Sequence, residues 1–405
     1  MPRCGAQISA RTERGRSPWR AFSIGVVALT CCGCSERLIE SAGLGHGDGG
    51  ADAAKGVSST GPKCGPAPRQ LVDFNALVSK ALGGSIGAMQ LAVDATNVYF
   101  VFDGSLMRVP LRGGPPVVMQ SLARVIQEND VVVTSTAVLL HGIVGLGSND
   151  QVLRVPLDGG PTTTLATTNG QVKAFVANES AVYFGDQDGV KTVPVAGGNV
   201  QTLTDAMSGS VSGLAIAGAN LIVTTANFIA NDGAVFSVPL GGGAPTELAA
   251  QQSSASFPMV CGSDVCWWTG APPTPMGPTG PGYIARLENG AVTTISAPVF
   301  PWSLAFDGWS FFETVGCDAC SGTLVRIPAS GAPVTSMVTA GYAAVDEDCV
   351  YFSVADGIDL PSSVDGGIPG AGIFSVAKSY ADPVLPAPSE LGLRPWEGSK
   401  SLSSW

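Results

Sequence analysis

Between about residue 90 and about residue 380, hydrophobic positions come in short runs that alternate with polar ones and are cut by Gly, Pro, Asn and Asp. No stretch there sustains the three-to-four-residue spacing of an amphipathic helix, whereas alternation bounded by turn residues predicts strands. One phrase recurs as Val109-Pro-Leu-Arg-Gly-Gly114, Val155-Pro-Leu-Asp-Gly-Gly160, Val193-Pro-Val-Ala-Gly-Gly198 and Val238-Pro-Leu-Gly-Gly-Gly243. Weaker copies are Ala285-Arg-Leu-Glu-Asn-Gly290, Ile327-Pro-Ala-Ser-Gly331 and Ser375-Val-Ala-Lys378. With the Pro position as marker (110, 156, 194, 239, 286, 328, 377), the steps are 46, 38, 45, 47, 42 and 49 residues. A second phrase, Leu91-Ala-Val-Asp-Ala-Thr-Asn-Val-Tyr-Phe100, returns in Ala174–Phe184, Leu304-Ala-Phe-Asp307 and Ala344–Phe352.

Each unit therefore offers four strand-like runs: small and apolar, then aromatic, then ending in Val-Pro-Leu, then following Gly-Gly. Four-stranded units of this period read as propeller blades, because a lone blade cannot bury both faces and packing around a ring solves that for every copy. The predicted fold is all-β, a seven-bladed β-propeller of four-stranded antiparallel blades, with six or eight blades and an open β-solenoid as alternatives. Either Asp73–Val78 or Pro383–Leu385 is expected to supply the outer strand that closes the ring. The Pro in the third run has no N–H and must stand where the ladder asks for no donor.

The motifs Val98-Tyr-Phe100, Val182-Tyr-Phe-Gly-Asp186, Cys266-Trp-Trp-Thr-Gly270 and Val350-Tyr-Phe352, each followed by a turn and a Val-Pro-Leu-like strand, resemble YWTD- and NHL-type β-propellers of exported bacterial proteins. The resemblance spans about residues 70–385. Only Asp186 matches the terminal Asp of the motif in register, and the Trp-Asp repeat signature is absent. It implies an architecture, and for activity it implies mostly binding and scaffolding, with lactonases or lyases as a minority of relatives. Fold alone does not choose among these.

The amino-terminal segment is an address. Five Arg and one Glu precede the apolar run Ala21–Thr30 and the cluster Cys31-Cys32-Gly33-Cys34, the layout of a secretory signal. The apolar run is too short to span a bilayer. The Cys cluster resembles a lipoprotein cleavage site, with lipidation at Cys32 or Cys34 and plain secretion as the alternative. The expected organisation is a signal over 1–34, a flexible linker over 35–65, a propeller over 66–386 and a tail over 387–405. Removing the signal takes the formal net charge from −11 to −15, which argues against nucleic acid or an anionic surface as partner. Contact with membrane is expected only through the lipid anchor of an outer-membrane, periplasmic or extracellular monomer. With 45% hydrophobic residues the chain can build a core, and with two histidines it has little material for His-centred catalysis.

Six further cysteines fit disulfides in an exported protein. Cys261 with Cys266 would clamp a hairpin and Cys317 with Cys320 a short loop. Cys64 with Cys349 would tie the ring's start to its last blade. Fifteen pairings exist for six cysteines. Zinc at Cys317 and Cys320 would need two more ligands, and a redox pair would want a βαβ setting. Asp186-Gln-Asp-Gly189 opens like a Ca²⁺ loop but lacks the later oxygen ligands, and Asp-Gly equally makes a hairpin turn. No other cofactor is called for.

The long connections 271–282 and 356–372, with 141–149, fall between second and third strands, on the face shared with the inter-blade loops. A binding surface lined by Trp302, Tyr342 and Trp268 is expected there, since loops on a rigid scaffold carry recognition. The expected function is a non-catalytic envelope propeller binding a protein or glycan. The alternative is a lactonase- or lyase-type enzyme with a metal-assisted site at the central channel.

Overall fold

The computed structural model of the chain describes residues 64–77, 90–122, 131–143, 149–226, 233–295, 301–315, 322–354 and 371–379, except 103, 206, 208, 271–272, 275–276, 279–281 and 332–333. The signal and linker with Cys32 and Cys34, the residues Cys317 and Cys320, most of both long connections, Pro383–Leu385 and the tail lie outside them.

The protein is a seven-bladed β-propeller of four-stranded antiparallel blades. Blades one to six run through Leu91–Ser121, Val131–Thr167, Ala174–Thr204, Ser210–Ala249, Ser256–Thr294 and Pro301–Ala340. Blade seven takes three strands from Ala343–Ala377 and its outermost strand from the other end of the fold, where Arg69–Asp73 pairs with Gly372–Ala377. The closing strand thus begins earlier than expected from Asp73–Val78. Phe74–Leu77 instead forms a helical turn, because Phe74 is fully buried and stacks on Phe102 of blade one at 4.7 Å.

The repeated phrases are turn chemistry. Between first and second strands, Asp94, Asn178, Asp307 and Asp346 each accept backbone N–H groups two and three residues on, the Asx turn that their short side chains favour. Every Pro of the Val-Pro phrase sits at the strand's end, opposite the first residue of the second strand, as in Asn97 with Pro110. The following residue carries the N–H instead: Leu111, Leu157, Val195, Leu240 and Ala329 donate to carbonyls in the neighbouring turn at 2.8–3.0 Å. Gly113, with φ of +81°, then turns the chain into the outer strand, and Gly159, Gly197 and Gly242 repeat that conformation.

This register corrects blade five. Val265 pairs with Leu287, so Glu288, and not Arg286, stands at the Pro position. The weaker phrase has no Pro to anchor it, so the marker taken from sequence falls two residues ahead of the structural position.

Among the described residues seven hydrophobic clusters fill the core, and each spans one seam between adjacent blades, including that between blades seven and one (Leu71, Phe100, Met107, Tyr351 and Ile373). Burying apolar area across every seam holds the ring shut without any blade having a core of its own.

Candidate functional site

Alternation of strand direction brings the starts of innermost strands and the ends of second strands to one end of each blade, the end that also carries the inter-blade loops. The three aromatic candidates fall there in blades five to seven. Trp302 is placed by its backbone near the start of the inner strand Pro301–Phe306. Tyr342 precedes the inner strand of blade seven and is half-buried. Its main chain is pinned on both sides: its N–H donates to Ser353 Oγ at 3.1 Å, and its carbonyl accepts from the Ser353 N–H at 2.9 Å. Trp268 lies opposite Ser256 and packs with Met259, Leu304 and Phe306 against the core between blades five and six. Its indole leaves no room for a Cβ at Gly282, so that glycine is what lets the third strand pass. Trp268 is thus partly a packing residue, while Tyr342 is a supported rim residue.

Polar side chains are buried at the same end. Ser303 Oγ accepts from the Ala343 N–H at 3.1 Å and so joins blade six to blade seven. In blade two, His141 and Asp150 are both buried, with Nδ1 3.4 Å from Oδ2, and that carboxylate accepts the Val172 N–H at 2.7 Å. The His141 ring lies 5.3 Å from Phe175 of blade three. The Asp186–Gly189 segment is a hairpin turn in which Gly189 holds φ at +121° and a Cβ would strike the Thr204 carbonyl. The Lys191 ammonium lies 2.6 Å from Asp186 Oδ2 and 3.3 Å from Asp188 Oδ2. Burial alone would lower its pKa, but the two carboxylates outweigh that and hold the ammonium above its ordinary range.

One residue was missed in the sequence. Across the ring, the fourth position of the second strand is Phe100, Leu140, Phe184, Val223, Trp267, Glu313 and Phe352, each matched by pairing to the equivalent positions of its neighbours. All seven are buried, and Glu313 has no exposure at all. Neither of its carboxyl oxygens has a hydrogen-bond partner among the described residues. Glu313 pairs with Leu304 and Val325 and shares a strand face with Phe311, which packs against Cys261, Cys266 and Ile284 of blade five. Desolvation pushes its pKa well up and favours the neutral acid. Aligning the second strands column by column would have flagged it, as the one acid in an apolar column.

No protein-family model matches the chain, and no curated protein matches it. Solved structures do share its outline. A nidogen/laminin complex is 14% identical, over 61% of this chain and 89% of that one, at a TM-score of 0.42. The extracellular domain of BT4673 from B. thetaiotaomicron is 11% identical, over 76% of this chain but only 40% of that one, at 0.49. An oligogalacturonate lyase in complex with manganese is 15% identical, over 73% and 78%, at 0.43. Likenesses this distant say nothing of activity.

Four further carboxylates serve the frame, Asp94, Asp264, Asp307 and Asp346. At the opposite end of the blades, Tyr99 donates to Asp94 at 2.7 Å and Tyr351 to Asp346 at 2.9 Å. Burial would raise Asp94, but the Tyr99 hydroxyl and the turn N–H groups overcome it and keep the carboxyl below its usual range. Burial and that carboxylate push Tyr99 up to about 12. Asp264 pairs with Arg286 and Asp307 with Lys378. Disulfides join Cys64 to Cys349 and Cys261 to Cys266. Among the described residues, no group of three His, Cys, Asp or Glu comes together as a metal site would require.

Proposed function

We propose that the protein is a non-catalytic β-propeller of the cell envelope, exported, anchored through lipid on Cys32 or Cys34, and recognising a protein or glycan with its loop-bearing face. The observation that carries this reading is Tyr342, a half-buried aromatic at the entrance of an innermost strand, held by two backbone hydrogen bonds to Ser353. A rigid ring with an apolar face and a polar tip suits stacking on a sugar or a partner side chain at little entropic cost. Trp302 starts the adjacent inner strand. The carboxylates Asp94, Asp186, Asp264, Asp307 and Asp346 are each engaged by a Tyr, Lys or Arg, which favours a framework over an acid–base site. Two disulfides fit an oxidising compartment.

The test is a glycan array probed with the full chain and with Tyr342→Ala and Trp302→Ala, together with amine-reactive chemical crosslinking of the same three proteins in intact cells. A glycan signal or a single crosslinked protein that is lost in both variants supports the reading. Unchanged binding by both variants, or no glycan and no crosslink, overturns it.

A further inference from the structure

The seam between blades five and six differs from the other six in one respect that packing alone does not explain. At the register where the other blades carry Phe, Leu, Val or Trp, blade six carries Glu313, fully buried and with both oxygens unpartnered among the described residues. Its surroundings are Leu304 and Val325 alongside, and the wall made by Ile284 and the Cys261–Cys266 bridge across the seam. The charged groups on the facing strands of blade five are Asp264, Arg286 and Glu288; the first two are bound to each other, with Arg286 Nε 2.8 Å from Asp264 Oδ2, and Glu288 is an exposed acid at the strand's end. On blade six itself, Arg326 is turned the other way, to the Lys378 carbonyl of blade seven. Nothing described offers a carboxylate in this seam a counter-charge.

We propose that this seam is a proton-gated joint, closed while the Glu313 carboxyl is neutral and opened when it gives its proton to solvent. An isolated carboxylate cannot remain in an apolar interface, so ionisation and separation of the two blades occur together. The step breaks one O–H bond, releases one proton to water and leaves the carboxylate hydrated. Burial displaces the acid's titration upward, so the joint opens as pH rises above the ordinary carboxyl range. Trp268 packs in this same seam, so the opening also shifts one of the aromatics at the loop-bearing end. The inference stands whether or not that end binds a ligand.

The experiment is amide hydrogen exchange of the full chain from pH 5 to pH 9, corrected for intrinsic exchange, on wild type, Glu313→Gln and Glu313→Leu. Gln keeps the shape without the charge, and Leu restores the residue class of the other blades, so failure of one variant to fold leaves the other. In wild type, protection of peptides covering 256–269 and 310–315 should fall about tenfold per pH unit once the joint begins to titrate, as one coupled proton requires. Both variants should lose that slope and keep the low-pH protection. The same slope in a variant, or a loss of protection spread evenly over all seven blades, overturns the proposal.

Discussion

Where blade seven meets blade one, the Arg69 guanidinium reaches the Leu111 carbonyl at 2.8 Å, Cys64 is bonded to Cys349 beside the core, and Phe74 stacks on Phe102. Where blade five meets blade six, Arg286 turns back to Asp264 of its own blade, the disulfide stays within one hairpin, and a buried carboxyl faces an apolar wall. The same strand register thus serves two kinds of joint. The first is fastened across its width, because the first and last strands of the ring meet in blade seven, where only strand pairing and the Cys64–Cys349 bridge join them. The second already has a continuous chain, and it carries a polar group that the other blades avoid. The comparison separates what closes the ring from what adjusts it.

The largest effect expected is on the bridges. Cys64–Cys349 encloses 285 residues of sequence and Cys261–Cys266 only five. On the loop-entropy argument the first is worth about 5 kcal/mol and the second about 2 kcal/mol. Replacing each pair by Ser and measuring guanidinium unfolding should therefore give the greater loss for the ring-closing pair. Equal losses would mean that the seam at blade seven owes its strength to its shared strand alone.

Arginine supplies the next contrast. Arg108 donates to the Leu157 carbonyl of blade two at 3.2 Å and Arg326 to the Lys378 carbonyl of blade seven at 2.6 Å, so each staples one blade to the next. In blade seven the equivalent position is Ser375, and Arg69, directly opposite on the closing strand, takes over the task. A cationic donor on a carbonyl contributes about 1.5–3 kcal/mol. Arg69→Ala and Arg326→Ala should each cost that much, and Arg286→Ala about 1 kcal/mol or less, since its partly exposed pair lies within one blade. A loss at Arg286 as large as at Arg326 would remove the distinction between the two seams.

The architecture was legible because it is written in local turn chemistry. Asx turns, Val-Pro strand ends and Gly-Gly hairpins need only neighbouring residues, so their recurrence spells out the blades before any tertiary contact is known. What depends on distance was not legible. Arg69 stands ahead of the first recognisable blade phrase and shows no role until the ring closes and sets it against Leu111. Glu313 lies in a unit whose recurring phrases, Leu304-Ala-Phe-Asp307 and Ile327-Pro328, mark only its ends, and the strand between carries no repeated motif. Tyr342 and Trp302 were expected on the loop-bearing face, whereas the packing of Trp268 against blade six depends on a neighbour the sequence does not indicate.

The smallest expected effect concerns acid, and its sign is opposite to that of the joint. Asp307 is pushed up by burial, but the Lys378 ammonium at 2.8 Å and the N–H groups of Trp309 and Ser310 bring its carboxyl below the ordinary value of 3.8. Asp94 is depressed in the same way. A carboxyl depressed in the fold adds stability that is complete above its unfolded value and disappears as pH falls through the folded one. A carboxyl raised in the fold, as in Glu313, adds stability that is complete below about 4.5 and is lost as pH rises toward its folded value. Wild-type stability should accordingly decline at both ends. Asp307→Asn should flatten only the acid limb, by at most about 1 kcal/mol because the site is partly solvated. Glu313→Gln should flatten only the decline that sets in as pH rises above the ordinary carboxyl value of 4.5. Denaturant midpoints collected from pH 3 to pH 9 on the two variants settle the matter, and a variant that flattens the opposite limb would show that its carboxyl has been assigned the wrong charge in the fold.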